Sequence, residues 1–189
     1  MNQGYSRFGF WGMMSPVIKN LVIINTVMLI ATWIIGESMY EKLALFPFES
    51  PFFKPYQLIT HMFMHGDFWH LFFNMYTLMI FGTVLERIWG SKKFLLFYFV
   101  TGIGAALCHS LVLHLQYDAL MTAGKIASAT AVLGTPTVGA SGAIYGVLLG
   151  YGMLFPDNRL QLIFPPVAMK AKWFVIIFGA IELITGLTG

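Results

Sequence analysis

A serine set between small residues opens an apolar stretch in the second half of the chain. Ser141 lies in Gly139-Ala140-Ser141-Gly142, with Tyr145 one helical turn later. Glycine before a serine permits an unusual backbone, and glycine after it leaves space around the hydroxyl. If Ser141 begins a helix, the N–H groups of that helix end would stabilise a developing oxyanion. Glycines also recur here every four residues, which equally predicts a packing face whose serine bonds a backbone carbonyl. These glycines are Gly142, Gly146 and Gly150.

A histidine and an asparagine are spaced by four residues in an earlier apolar stretch. The sequence His70-Leu-Phe-Phe-Asn74 places both side chains on one face of a helix. As neutral donors they could reach a common point with the Ser141 hydroxyl, although an interhelical hydrogen-bond pair explains them equally well. His61 and His65 add a loose metal-like spacing, but no closing ligand is evident. We therefore predict no metal and no cofactor.

Three further ionisable residues in apolar stretches keep open roles. Glu182 lies deep in the last stretch, where an acid is a functional hypothesis by default, although a protonated structural glutamate fits as well. His109 and His114 are similarly ambiguous. A small transporter would use such residues, but no repeat of discontinuous helices supports that function.

The composition identifies a membrane protein. Hydrophobic residues make up 58% of the chain and charged residues 10%, against about 25% charged residues in soluble domains. Five apolar stretches approach the ~17–25 residues that a spanning helix needs. We therefore predict one all-α, polytopic helical bundle in the membrane. The stretches are Ile18–Ile35, Trp69–Leu85, Phe94–Leu115, Ala140–Phe155 and Lys172–Leu187.

The distribution of basic residues predicts the orientation of this bundle. With a cytoplasmic N-terminus, eight of the 11 Lys and Arg residues lie inside and three outside, as the positive-inside rule requires. Residues 1–17 are then a cytoplasmic lead-in and residues 18–189 the membrane domain. The net charge of +3 reflects these anchors, and we predict no nucleic-acid binding. Of the connections, Gly36–Phe68 is rich in aromatic residues and is expected to lie in the interface. We expect Gln116–Val138 to be a polar loop and Phe155–Pro166 a cytoplasmic connection.

Together, these motifs resemble those of the rhomboid intramembrane serine proteases. The likeness is carried by Gly139-Ala140-Ser141-Gly142 with Tyr145 and Gly146, and by His70-x-x-x-Asn74. Three further stretches resemble the family's pattern and occur in the same order along the chain. They are Tyr56 through Gly66, Leu85 through Ser91, and Tyr98 through Gly104.

The resemblance implies a six-helix bundle with a serine–histidine dyad below the outer membrane surface. Ser141 would be the nucleophile, and His70, Asn74 and the Ser141 N–H would form the oxyanion hole. Tyr145 would pack beside the base histidine, with Gly139 and Gly142 supporting the serine. The segment Gly36–Phe68 would be the membrane-embedded first loop that shapes access.

The resemblance is incomplete in one respect. The family's general base is a histidine on a sixth span, whereas all five histidines of this sequence precede Ser141. We therefore expect a rhomboid protease truncated before its sixth helix, with five of six core helices present. The expected activity is endopeptidase cleavage of transmembrane segments, with transmembrane proteins and the lipid bilayer as partners, in the plasma (inner) membrane of a bacterium. The alternative is a non-proteolytic rhomboid-like protein that binds membrane clients.

Overall fold

A computed structural model describes residues 12, 14–161 and 168–188, with no side chains described beyond Ala180. Most of the predicted N-terminal lead-in and the Pro165-Pro166 pair lie outside the described residues. The helices are α1 (Pro16–Ile35), α2 (Glu37–Leu43), α3 (Gln57–Thr60), α4 (Phe68–Thr77), α5 (Thr83–Trp89), α6 (Ser91–Thr122), α7 (Ile126–Leu133), α8 (Ser141–Leu154) and α9 (Ala171–Thr188). A 3₁₀ turn covers His61–Phe63, a π-helical turn Leu78–Gly82, and an antiparallel hairpin pairs β1 (Arg159–Gln161) with β2 (Ala168–Lys170).

The predicted all-α membrane bundle is confirmed. Within the described part of the chain, three helices are long and apolar enough to cross a membrane: Pro16–Ile35, Phe68–Trp89 and Ser91–Thr122. The second of these is continuous from α4 through the π-helical turn to α5. The remaining two apolar stretches also form helices, α8 and α9, of which α8 has 14 residues. Each of the five predicted stretches therefore contains a helix.

The connections contain more regular structure than the sequence suggested. Helix α6 runs to Thr122, past the predicted end at Leu115, because neither glycine nor proline occurs between Leu115 and Gly124. Gly124 has a φ of +70°, which favours glycine. Helix α7 follows within the predicted polar loop, and α2 and α3 lie within the aromatic first loop. Polar or interfacial composition therefore did not mean irregular backbone.

One end of the bundle is held by a buried carboxylate. Glu86, near the end of α5, accepts hydrogen bonds from the backbone N–H groups of Val17 (3.0 Å) and Ile18 (3.2 Å). The Ser15 hydroxyl also donates to Glu86, and the Ser91 hydroxyl does so at 2.6 Å. The first turn of a helix has free N–H groups and a partial positive charge, so an anion there is favourable. Glu86 thereby joins the start of α1 to the α5–α6 junction.

Glycines allow α8 to approach α6 and the end of α5 closely. A Cβ atom built on Gly142 would lie 2.6 Å from the Ala105 Cβ, and one on Gly150 would lie 3.0 Å from the Trp89 ring. Gly146 faces Thr101 in the same way. The four-residue glycine repeat is therefore a helix-packing face, as small residues are in membrane bundles. This packing fixes α8, whose first residue is Ser141.

Candidate active site

Ser141 is the first residue of α8, and the loop before it has an unusual backbone. Ala140 caps the helix, and the ladder of helical hydrogen bonds begins with the Ile144 N–H donating to the Ala140 carbonyl at 3.0 Å. The N–H groups of Ser141 and the next two residues precede that ladder, so they point out of the helix end. Gly139 has a φ of +127°, a region that side-chain-bearing residues rarely adopt. The sequence motif therefore forms a sharp turn into a helix.

His70 lies directly against this turn. A Cβ atom built on Gly139 would lie 2.8 Å from the His70 Nε2 and 2.9 Å from its Cε1. The same point lies 3.6 Å from the Ser141 Oγ. The His70 ring and the serine hydroxyl therefore both lie near the point where a side chain at residue 139 would begin, and only a residue without a side chain leaves room for the ring. The structure thus brings together His70, Gly139 and Ser141, which are distant in sequence.

Helix α4 presents His70 and Asn74 from one side, as their spacing predicts. Asp67 caps the helix, its carboxylate accepting a hydrogen bond from the His70 backbone N–H at 2.9 Å. Asn74 is buried one turn further on. Its amide nitrogen has no hydrogen-bond partner within the described part of the chain. Burying a donor without a partner is unfavourable, so this nitrogen is available to an acceptor that enters the site.

A second histidine ring packs against His70. His65 is fully buried, and its ring lies edge-on to that of His70, with 5.0 Å between ring centroids. Burial, followed by the nearby His70, lowers the pKa of His65 to about 4. Neither ring nitrogen of His65 has a hydrogen-bond partner among the described residues. His65 therefore contacts His70 as a neutral aromatic ring at ordinary pH.

His61 connects the first loop to the serine turn. Its Nδ1 lies 2.8 Å from the Gln57 carbonyl, and its own carbonyl accepts a hydrogen bond from the Gly139 N–H at 3.0 Å. Burial lowers the pKa of His61, with the Gln57 carbonyl acting in the opposite direction and His109 reinforcing the decrease. Within the described residues, His61, His65 and His70 make these packing and hydrogen-bond contacts, and no three metal-ligating side chains form a group.

A cavity of about 890 Å³ is lined in part by Ser141. It lies between α6, α8 and α9, and its lining includes Ser141, Gly142 and Tyr145. His70 and Asn74 do not line it. The cavity therefore extends from the loop before Ser141 to α9, with the serine in its wall. Tyr145 shares the cavity wall with the serine, one helical turn below it.

The site includes one pair of residues that the sequence did not reveal. The His109 Nε2 lies 2.9 Å from the Thr137 Oγ1, and both residues line the cavity. His109 was ambiguous in the sequence, and Thr137 was simply part of a polar loop. They are 28 residues apart, so no local pattern could have joined them. The two residues meet only because the loop before Ser141 lies against α6 in the folded structure.

The two other ambiguous residues lie away from Ser141 or outside the description. The His114 Nδ1 is 2.5 Å from Glu49 of the first loop, and its Nε2 is 3.6 Å from Asp118. His114 thus links the first loop to α6. The side chain of Glu182 lies outside the described residues.

The arrangement can support acyl transfer. A hydroxyl stands at a helix N-terminus whose free N–H groups suit a developing oxyanion, and the His70 ring of a second helix lies beside it. Of the five histidine rings, those of His61, His109 and His114 contact oxygen atoms of other residues. The His65 ring packs against His70, which is the ring that lies at the serine turn.

Comparisons with known proteins match most of the chain. The sequence profile of the rhomboid domain family matches residues 53–189, which include His70 and Ser141. Rhomboid protein 1, mitochondrial, of Saccharomyces cerevisiae is 36% identical over 110 residues, covering 58% of this chain and 28% of that protein. Rhomboid protease AarA of Providencia stuartii is 37% identical over 86 residues, covering 46% and 29%. Rhomboid-like protein 19 of Arabidopsis thaliana is 30% identical over 132 residues, covering 69% and 39%. The chain therefore spans well under two thirds of the length of these curated relatives.

Proposed function

We propose that this chain, which belongs to the rhomboid family, is the core of an intramembrane serine endopeptidase. Its substrates would be membrane proteins, cleaved in or near a transmembrane segment. The observation that carries the proposal is the position of Ser141: the hydroxyl lies at a helix N-terminus, beside the His70 ring and at the wall of a cavity. A packing motif alone would need the glycines but not this convergence.

In the proposed reaction, the Ser141 Oγ attacks the carbonyl carbon of the scissile peptide bond. The carbonyl oxygen becomes an oxyanion, which the Ser141 N–H, the His70 Nε2–H and the Asn74 amide stabilise. Collapse of this intermediate breaks the C–N bond, and the leaving amine takes the proton that the general base removed from the Ser141 hydroxyl. The acyl group left on Ser141 is then hydrolysed by water to a carboxylate, which restores the serine hydroxyl. Each such donor typically contributes about 100- to 1,000-fold to kcat. The unpartnered Asn74 nitrogen supports this role, because it would gain its hydrogen bond only when the oxyanion forms.

The hydroxyl proton must go to a general base, since a serine at its ordinary pKa is a poor nucleophile. The family resemblance assigns that role to a histidine that has no counterpart among the 189 residues. We propose that it is supplied from outside this sequence. Tyr145 would pack beside it, because Tyr145 lines the cavity next to Ser141.

The polytopic membrane location is supported by the apolar helices. We propose a cytoplasmic N-terminus, which puts the start of α4 and the start of α8 at the outer face. The hydrogen bonds that join the first loop to the serine turn support this arrangement, since they require both to lie at one end of the bundle. The identity of the membrane stays a prediction, because some relatives are named as mitochondrial proteins.

The test is cleavage of a reporter by the complete encoded protein, including any residues that follow Gly189. The reporter is a single transmembrane segment with an outer domain, reconstituted with the enzyme in liposomes. Ser141→Ala should abolish release of the outer domain while the protein still folds. Ser128→Ala, at an exposed serine of α7, is the matched control and should cleave normally. Undiminished cleavage by Ser141→Ala would refute the assignment. Reporter binding without cleavage by the unmodified protein would instead support the client-binding alternative.

A further inference from the structure

The segment that leads into Ser141 is fixed by backbone hydrogen bonds to the first loop. Thr137 and Leu45 exchange two such bonds: the Leu45 N–H donates at 2.9 Å, and the Thr137 N–H donates at 2.8 Å. Two residues later, the Gly139 N–H donates to the His61 carbonyl at 3.0 Å. The serine turn is thus attached to one rigid partner by its main chain.

The Thr137 side chain attaches the same segment to a second partner. Its hydroxyl is 2.9 Å from the His109 Nε2, and His109 belongs to α6. Helix α6 is also the helix against which the glycine face of α8 packs, through Ala105 and Gly142. The His109–Thr137 bond therefore joins the loop before Ser141 to the helix that supports the residues after it.

This second attachment matters because of the strain at Gly139. A backbone at a φ of +127° persists only where the surrounding structure holds it. The turn also has to keep the Ser141 hydroxyl near the His70 ring, since both lie close to the same point beside Gly139. A misplacement of about 1 Å at a reacting centre can cost about 100-fold in rate.

We propose that His109 and Thr137 are positioning residues, whose hydrogen bond sets the Gly139–Ser141 turn against His70. The inference rests on the proposed function, because it concerns the geometry of the same serine. The pair acts on kcat through the backbone that leads from Thr137 to Ser141.

The test compares variants of Thr137 in the complete protein. Thr137→Val keeps the shape and removes the hydroxyl, whereas Thr137→Ser keeps the hydroxyl. Thr135→Val is the matched control, since the Thr135 hydroxyl donates to the Ala131 carbonyl of α7 at 3.1 Å and is exposed. We expect Thr137→Val to lower kcat about 10-fold with KM within about twofold, a partial loss relative to full misplacement. Thr137→Ser and Thr135→Val should stay within about twofold of the unmodified protein.

A double-mutant cycle with His109→Ala isolates the pair. If the two residues act through one bond, Thr137→Val adds no further loss of kcat in the His109→Ala background. Additive losses, or a Thr137→Val variant with unchanged kcat, would overturn the proposal. So would a Thr137→Ser variant as impaired as Thr137→Val.

Amide hydrogen exchange gives a readout that does not need activity. The segment 134–141 should exchange faster in Thr137→Val than in Thr135→Val, because the Leu45–Thr137 and His61–Gly139 bonds lose their common support. Equal exchange in the two variants would contradict the positioning role. Should Ser141→Ala leave cleavage intact, the proposed function fails while the exchange experiment still decides whether the pair fixes the turn.

Discussion

Replacing Gly139 by alanine should separate the chemistry of the site from the stability of the fold. At a φ of +127° the new side chain would be strained whatever space surrounds it. Its Cβ would also lie 2.8 Å from the His70 Nε2 and 2.9 Å from the Cε1. Optimal contacts between such atoms are about 3.5–4.0 Å. The His70 ring must therefore retreat from residue 139 by roughly 0.7 to 1 Å, which changes its position relative to Ser141.

The two effects have different sizes and different readouts. Backbone strain of this kind costs about 1–3 kcal/mol of folding free energy. Displacing one oxyanion donor by about 1 Å costs about 100-fold or more in kcat. We therefore expect Gly139→Ala to remain folded but to lose at least about 100-fold in kcat.

Two other glycines provide matched controls. Gly124 has a φ of +70° with no atom near the position of a Cβ, so Gly124→Ala introduces strain without a clash. Gly134, in the same loop as Gly139, has a negative φ of −89° and open space except for the Ala131 carbonyl oxygen at 3.6 Å. Gly134→Ala should thus introduce neither effect.

The assay combines reporter cleavage in liposomes with thermal unfolding in detergent. Gly124→Ala should lower the unfolding midpoint and leave kcat near that of the unmodified protein, and Gly134→Ala should change neither. If Gly139→Ala keeps kcat within about threefold, the His70 ring is not needed where the structure has it. A loss of activity in Gly124→Ala equal to that in Gly139→Ala would show that strain alone explains the effect.

Two further predictions concern buried ionisable groups. Glu86→Ala leaves the Val17 and Ile18 N–H groups and the Ser91 hydroxyl without their acceptor. The free energy of unfolding should therefore fall by at least about 2 kcal/mol. An unfolding midpoint in detergent equal to that of the exposed-site variant Glu41→Ala would contradict the stabilising role of Glu86. The pKa of His65 is lowered to about 4 in the folded protein. Between about pH 6.5 and pH 4 the unfolded chain therefore binds a proton at this residue that the folded protein does not bind. The free energy of unfolding should fall over this range as the pH decreases, by up to about 1.4 kcal/mol per pH unit. His65→Phe keeps an aromatic edge against His70 and should flatten this dependence, and identical pH profiles of the unfolding midpoint would show that His65 does not contribute.

The membrane helices could be predicted because hydropathy and helical periodicity are local properties. Their ends could not be predicted to the same degree. Hydropathy reports the thickness of the bilayer, whereas a helix ends where its backbone is interrupted. Helix α6 therefore continues through polar residues to Thr122 and stops before Gly124. The π-helical turn Leu78–Gly82 has no sequence signal of its own. Its last residue packs closely against α1, since a Cβ on Gly82 would lie 2.7 Å from the Ile18 Cδ1.

The site was predictable where its residues are close in sequence. The spacing of His70 and Asn74 placed them on one helical face, and the small residues around Ser141 indicated a tight turn into a helix. The contacts between these two motifs depend on the first loop, whose Leu45 and His61 bind the serine turn through their backbones. Backbone hydrogen bonds carry no side-chain signature, so the sequence could not reveal which loop residues hold the turn.

The glycine-rich motif has a packing interpretation and a catalytic one, and the two concern different residues: the glycines within α8, and Gly139 in the turn before it. Gly142 and Gly146 face α6, where a Cβ would collide with Ala105 or Thr101. Gly139 faces α4, where a Cβ would collide with the His70 ring. Packing therefore accounts for the glycines after the serine, and the contact with His70 accounts for the glycine before it. A motif that served packing alone would leave Gly139 unexplained, since its φ of +127° and its contact with His70 contribute nothing to the approach of α8 and α6. Helix packing does not explain Gly139, and the Gly139→Ala variant is therefore the most direct test of the proposed chemistry.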